Sequence, residues 1–153
     1  MVERLSRLVA TFFCAGYFPV APGTFASAVG LLLFLFLRDF PAAYLLVTLA
    51  VTILGFVTCG RAEKSFSRHD PSQIVIDEVA GILIALFSFP FNLPLALLAF
   101  FIFRAFDMVK PPPADGLQRL PGSLGIMLDD IVAGLYTLIV FQLAFRLIVF
   151  KAS

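Results

Sequence analysis

Five acidic residues stand out in this 153-residue chain: Asp77 with Glu78, Asp107 alone, and Asp129 with Asp130. Each place adjoins an apolar run, as in IVIDEVAG at 74–81 and GIMLDDIVAG at 125–134. A carboxylate at such an edge is often an interface residue or a helix cap. Five on three elements ask for more, because like charges brought together repel unless a cation neutralises them. Oxygen ligands with no His or Cys among them suit Mg²⁺, which binds through a few carboxylates, waters and substrate phosphate. Asp77, Glu78, Asp107, Asp129 and Asp130 are therefore the candidate metal ligands, and metal-assisted phosphate chemistry is the candidate activity.

Other residues could complete such a site. Arg104, Asp107 and Lys110 are spaced i, i+3, i+6 at the end of an apolar helix. Either Arg104 and Lys110 hold phosphate oxygens while Asp107 takes the metal, or the three form a plain ion-pair ladder. Thr24, in PGT at 22–24, is a candidate N-cap whose helix start could receive an anion; a cap with small packing residues behind it is the simpler alternative. His69 lies eight residues before Asp77 and is either a solvated loop residue or an acid–base group near the phosphate. Cys14 and Cys59 fit no metal spacing and read as small apolar side chains.

The elements that must carry these groups are apolar. The chain is 61% hydrophobic and 14% charged with mean hydropathy +1.02, too greasy for a water-soluble surface. An all-α polytopic membrane bundle of one domain, 1–153, is the expectation. The net charge of +1 argues against a broad nucleic-acid footprint, which would need a basic face. Spans need ~20 apolar residues; 42–60 and 131–150 meet this, 25–37 is short, and 8–21 reads as an amphipathic or re-entrant piece. The stretch 79–103 breaks at FPFNLP, 89–94, into two short helices at 74–89 and 95–108.

Basic loops at 61–73 and 104–130 should share the cytoplasmic side, which demands an even number of crossings between them. The hairpin at 89–94 satisfies this whether it crosses or is re-entrant, and it puts all the acid clusters on the cytoplasmic side. The motif D-x-V-A-G occurs at 77–81 and again at 130–134, placing each acid one turn before a glycine on the same helix face. Ala-Gly lets a neighbouring backbone approach closely. The two helices should therefore pack where their acids lie.

APGTFAS (21–27), HD and IVIDEVAG (69–81), FRAFDMVKPPP (103–113) and LGIMLDDIVAG (124–134) together resemble the phosphatidylglycerophosphatase A family, in family order. The chain departs from it at Ser123, where glycine is usual, and at Pro71. The resemblance implies Mg²⁺-dependent hydrolysis of the terminal phosphate of phosphatidylglycerol phosphate at the bacterial cytoplasmic membrane. It also implies that Asp77, Glu78, Asp129, Asp130 and Lys110 are catalytic, and that Arg104 and Lys110 stabilise the transferring phosphoryl. Two competing readings are a CDP-alcohol phosphotransferase, whose signature DG at 115–116 only partly matches, and a small cation or proton transporter. A transporter would place acids at mid-span, and mid-span positions here are almost charge-free.

Overall fold

The computed structural model describes residues 2–67, 71–87 and 92–152, the last eight of these as backbone only. Among them are seven α-helices and no strand: α1 (Val2–Ala10), α2 (Pro22–Leu37), α3 (Pro41–Phe66), α4 (Ile76–Ala85), α5 (Leu93–Val109), α6 (Ala114–Gln118) and α7 (Ser123–Ala152). The all-helical expectation holds.

Helix starts follow local chemistry. Proline occupies the first turn of α2, α3 and α5, where its missing amide proton costs nothing and its fixed φ is already helical. This corrects the assignment of Thr24 as an N-cap. Pro22 starts α2 two residues earlier, Ala21 is the N-cap in a left-handed conformation, and Thr24 is inside the first turn. Between α1 and α2 the chain forms no continuous helix. Phe12, Phe13 and Cys14 take positive φ, and a 3₁₀ turn at Ala15–Tyr17 follows.

α4 is the central element. Its ten residues rise only about 15 Å, half a hydrocarbon core. Eight of the ten, Asp77 among them, are buried, and α2, α3, α5 and α7 all pack on it. That explains why its sequence is apolar nearly all round. The expected helix over 74–89 is shorter at both ends. Residues 89–91 of the expected turn at 89–94 lie outside the described residues, and α5 begins at Leu93, inside that stretch and two residues before the expected start at 95.

α3, with mean hydropathy 2.2, and α7 over Ser123–Ala144, at 1.9, are long and apolar enough to cross a membrane; α2 is a shorter apolar helix. Their outward faces carry exposed large apolar side chains, among them Phe36 on α2, Leu46 and Ile53 on α3, Phe101 on α5, and Ile139 and Leu143 on α7. α7 starts eight residues before the apolar run that announced it, so the sequence boundary at Ile131 marks a change of polarity rather than a helix end.

The helices alternate in direction, so the starts of α2, α4 and α7 meet the ends of α3 and α5. At this junction the Gly60 amide donates to Ser123 Oγ at 2.7 Å. The serine that departs from the family thus ties α3 to α7. At the other end, Tyr44 from the start of α3 packs edge-on to Phe34 of α2 and donates its hydroxyl to the Leu83 carbonyl of α4.

Candidate active site

The two D-x-V-A-G helices pack as their glycines demand. A Cβ on Gly81 would lie 2.8 Å from the Asp130 carbonyl oxygen and 2.7 Å from the Phe103 ring, and one on Gly134 would overlap the Gly81 carbonyl. α4 and α7 therefore touch backbone to backbone, one turn from Asp77 and Asp130. This close approach brings the acids together. Ligand oxygens of Asp77, Glu78 and Asp130 all lie within 4.8 Å of one another.

All of this is buried: Asp77 is 7% exposed, Asp107 8%, Asp129 4% and Asp130 2%. Asp107 borders Glu78 and Asp130. Asp107 and Asp129 have cations of their own. Arg104 bridges Asp107 at 2.5 Å on α5, and Lys110 reaches across to Asp129 on α7 at 2.5 Å. Of the ion-pair ladder weighed as one alternative along α5, the Arg104–Asp107 rung forms while Lys110 pairs with Asp129 instead. Lys110 has φ 48, in the left-handed region, and has already left the helical register. Its ammonium leaves Asp107 to Arg104. Burial pulls the Lys110 pKa down, but the carboxylates of Asp129, Asp130 and Asp107 outweigh it, and the net shift is upward. The lysine stays charged.

A divalent cation fits the remaining three acids. Asp77 Oδ1, Glu78 Oε2 and Asp130 Oδ2 are buried with no hydrogen-bond partner among the described residues. A buried charged oxygen left unsatisfied is costly. Oxygens around one Mg²⁺ at about 2.1 Å sit about 3 Å apart when adjacent and about 4.2 Å when opposite. A pair at the 4.8 Å limit would have to close by about 0.6 Å to sit opposite, or by about 1.8 Å to sit adjacent. Asp77 and Glu78 also occupy the first turn of α4, where the helix dipole favours negative charge. Asp129 and Asp130 gain no such help, lying two turns inside α7.

Two residues of the site went unassigned in the sequence. Ser27, fully buried, donates to the Gly23 carbonyl at 2.8 Å and accepts from Arg104 Nη1 at 3.3 Å. Gly23 itself lies so close to the site that a Cβ there would overlap the Glu78 carboxylate and sit 3.4 Å from Arg104 Nη2. The first turn of α2 therefore seats both groups. The available signal was the i, i+4 spacing of Gly23 and Ser27 at a helix start, which read as mere packing. Thr24 is half-buried in that same turn. His69 lies outside the described residues.

Comparison with known proteins gives a consistent answer. The family model for phosphatidylglycerophosphatase A matches residues 8–145. A Bacteroides thetaiotaomicron protein with the provisional name phosphatidylinositol-3-phosphatase is 35% identical over 92% of this chain and 93% of its own length. Proteins named phosphatidylglycerophosphatase A from Haemophilus influenzae and Escherichia coli K12 are 34% and 36% identical. They cover 88% and 84% of this chain, and 85% and 76% of theirs. No solved structure matches the chain. With four of its helices converging on one buried acid cluster, this chain belongs to the phosphatidylglycerophosphatase A family of phosphatases.

Proposed function

We propose that the chain is a single-domain, multi-pass membrane enzyme that hydrolyses the terminal phosphate of phosphatidylglycerol phosphate, using Mg²⁺ held by Asp77, Glu78 and Asp130. The observation that carries this reading is the trio of buried, unsatisfied carboxylate oxygens on α4 and α7. The names of the Haemophilus and Escherichia relatives supply the substrate.

The described geometry supports specific roles. Five carboxylates against Arg104 and Lys110 leave a formal charge of −5 + 2 = −3, which a divalent ion reduces to −1. Such an ion would polarise the phosphoryl group and supply an activated water. Asp107 and Asp129 lie at the rim of the trio, where they hold Arg104 and Lys110 in place or complete the metal shell through water. Arg104 Nε is buried with no partner among the described residues, so one N–H remains to meet a phosphoryl oxygen. The Lys110 ammonium adds positive charge where charge develops. Thr24, in the α2 turn beside Gly23, is placed to donate to the phosphate, and His69 is the remaining acid–base candidate.

The membrane reading rests on α3, α7 and the exposed apolar faces of the bundle. α2, α3 and α7 cross; α4 is too short, so α4 and α5 form a re-entrant hairpin. The basic residues near the acid end favour the bacterial cytoplasm for that end. A lipid phosphomonoester would then present its headgroup to the acids with its tails in the bilayer. The Bacteroides relative's name favours a second reading in which the phosphate comes from an inositol headgroup.

Purified protein in neutral detergent tests the proposal. It should release inorganic phosphate from phosphatidylglycerol phosphate with Mg²⁺ and stop in chelator, and Asp130→Asn should lose turnover while remaining folded. Release that continues in chelator excludes the metal role. Faster release from a phosphoinositide replaces the substrate.

A further inference from the structure

Residues 2–20 lie outside the acid site, yet they form a built surface. α1 keeps Ser6 and Ala10 buried against the bundle while Val2 and Leu5, each 61% exposed, point outward. The turn that follows adds Phe13 at 70%, together with exposed Tyr17, Phe18 and Val20. Beside this apolar strip is a cleft of about 210 Å³ lined by Arg4, Arg7, Leu8, Thr11, Cys14 and Tyr17. It is smaller than the ~300–1,000 Å³ of ordinary small-molecule pockets. A headgroup fragment fits it; a whole ligand does not.

The cleft is positively charged and ordered. Neither Arg4 nor Arg7 has a carboxylate partner among the described residues. Arg7 is nonetheless fixed, because its guanidinium lies 4.5 Å over the Phe66 ring and donates to the Tyr17 hydroxyl at 3.3 Å. The segment is also anchored. The Val75 amide, just before α4, donates to the Ala10 carbonyl at 3.0 Å, and Gly16 presses on the Gln73 backbone. Two unpaired arginines beside outward Leu, Phe and Tyr side chains match one occupant, a lipid with a negatively charged phosphodiester and adjoining acyl chains.

We propose that Arg4 and Arg7 bind the phosphodiester of an anionic phospholipid while Val2, Leu5 and Phe13 enter its acyl layer. This second lipid site seats the N-terminal segment against the start of α4. The proposal rests on the membrane reading above but not on the reaction. Each arginine at an anionic surface contributes roughly a five-fold preference, so the pair contributes roughly 25-fold.

Cys14 makes the test direct, because it lines the cleft and is exposed, whereas Cys59 is buried. The full chain in neutral detergent micelles is doped with phosphatidylserine or with phosphatidylcholine, and its modification by a neutral maleimide is timed. Phosphatidylserine should slow Cys14 modification by up to roughly 25-fold relative to phosphatidylcholine, and Arg4→Gln with Arg7→Gln should abolish the difference. Glu3→Gln, on the same helix, should retain it. Equal rates in the two lipids overturn the proposal. So does equal protection by inorganic phosphate, which would mark a small-anion cleft, and so does a difference that survives in the double variant. Thiol reactivity is read independently of phosphate release, so failure here and failure of the proposed reaction are separate results.

Discussion

If backbone contact between α4 and α7 sets the spacing of the acids, the smallest possible enlargement of that contact should impair metal use before it harms the fold. Gly81→Ala is that enlargement. Its Cβ would stand 2.8 Å from the Asp130 carbonyl oxygen, where a comfortable C···O separation is about 3.3 Å. The helices must part by about 0.5 Å, and the 2.7 Å approach to Phe103 asks for slightly more. Metal ligands tolerate about 0.2 Å, and a misplacement of 1 Å can cost about 100-fold in rate. The expected loss is therefore about ten-fold in phosphate release, with a higher Mg²⁺ concentration needed for half-maximal rate. Gly134→Ala, whose Cβ overlaps the Gly81 carbonyl, should lose more.

Stability is the poorer readout here. Overpacking costs about 1–3 kcal/mol, but alanine regains about 1 kcal/mol over glycine inside a helix. The melting temperature should thus change little while the Mg²⁺ dependence changes clearly. Gly116→Ala is the control, since nothing lies within 4 Å of a Cβ there. The assay is phosphate release across a Mg²⁺ titration for all three variants. A Gly81→Ala protein with wild-type rate and wild-type Mg²⁺ response would refute the claim that this contact sets the site.

Two further outcomes follow from the cations. Ser27→Ala removes the acceptor that holds Arg104 Nη1; one hydrogen bond of about 1 kcal/mol predicts about five-fold weaker use of substrate, seen in KM more than in kcat, with Ser27→Thr recovering part of it. Lys110→Met leaves Asp129 buried without its ammonium and should lower stability by about 1–3 kcal/mol near neutral pH. The sign is fixed by the raised lysine pKa: the contribution is complete below the ordinary lysine value and fades only as pH rises through the higher folded value. A gap between wild type and Lys110→Met that closed on acidification to pH 7 would contradict it.

The parts of the site that were legible in the sequence were those tied to strong local patterns. The repeated D-x-V-A-G announced both the acid pairing and the glycine contact, because four residues make one helical turn whatever surrounds them. Arg104 with Asp107 was equally local. What was missed depended on where helices begin and on which chain lies opposite. Hydropathy put the start of the last apolar span at Ile131, but the helix that carries it continues through polar residues back to Ser123. Lys110 was assigned by helical periodicity, which fails at the residue where the chain turns left-handed. Ser27 looked like packing because its partner is 77 residues away.

The shortness of α4 links these observations to the proposed chemistry. A spanning helix that carried Asp77 and Glu78 in its first turn would expose one flank to lipid tails, where no group could satisfy a carboxylate. α4 is enclosed by α2, α3, α5 and α7 instead, so each of its faces meets protein. Gly23 makes room for Glu78, Gly81 meets the backbone of Asp130, and Arg104 faces both Asp107 and Ser27. In the proposed membrane setting, the two long apolar helices would hold the bundle in the bilayer without themselves supplying all the charge. On this view, lengthening α4 by one turn at its Ala85 end should be tolerated better than adding a single methyl at Gly81. The acids are fixed from the Ile76 end, and the methyl acts on the one contact that sets their separation.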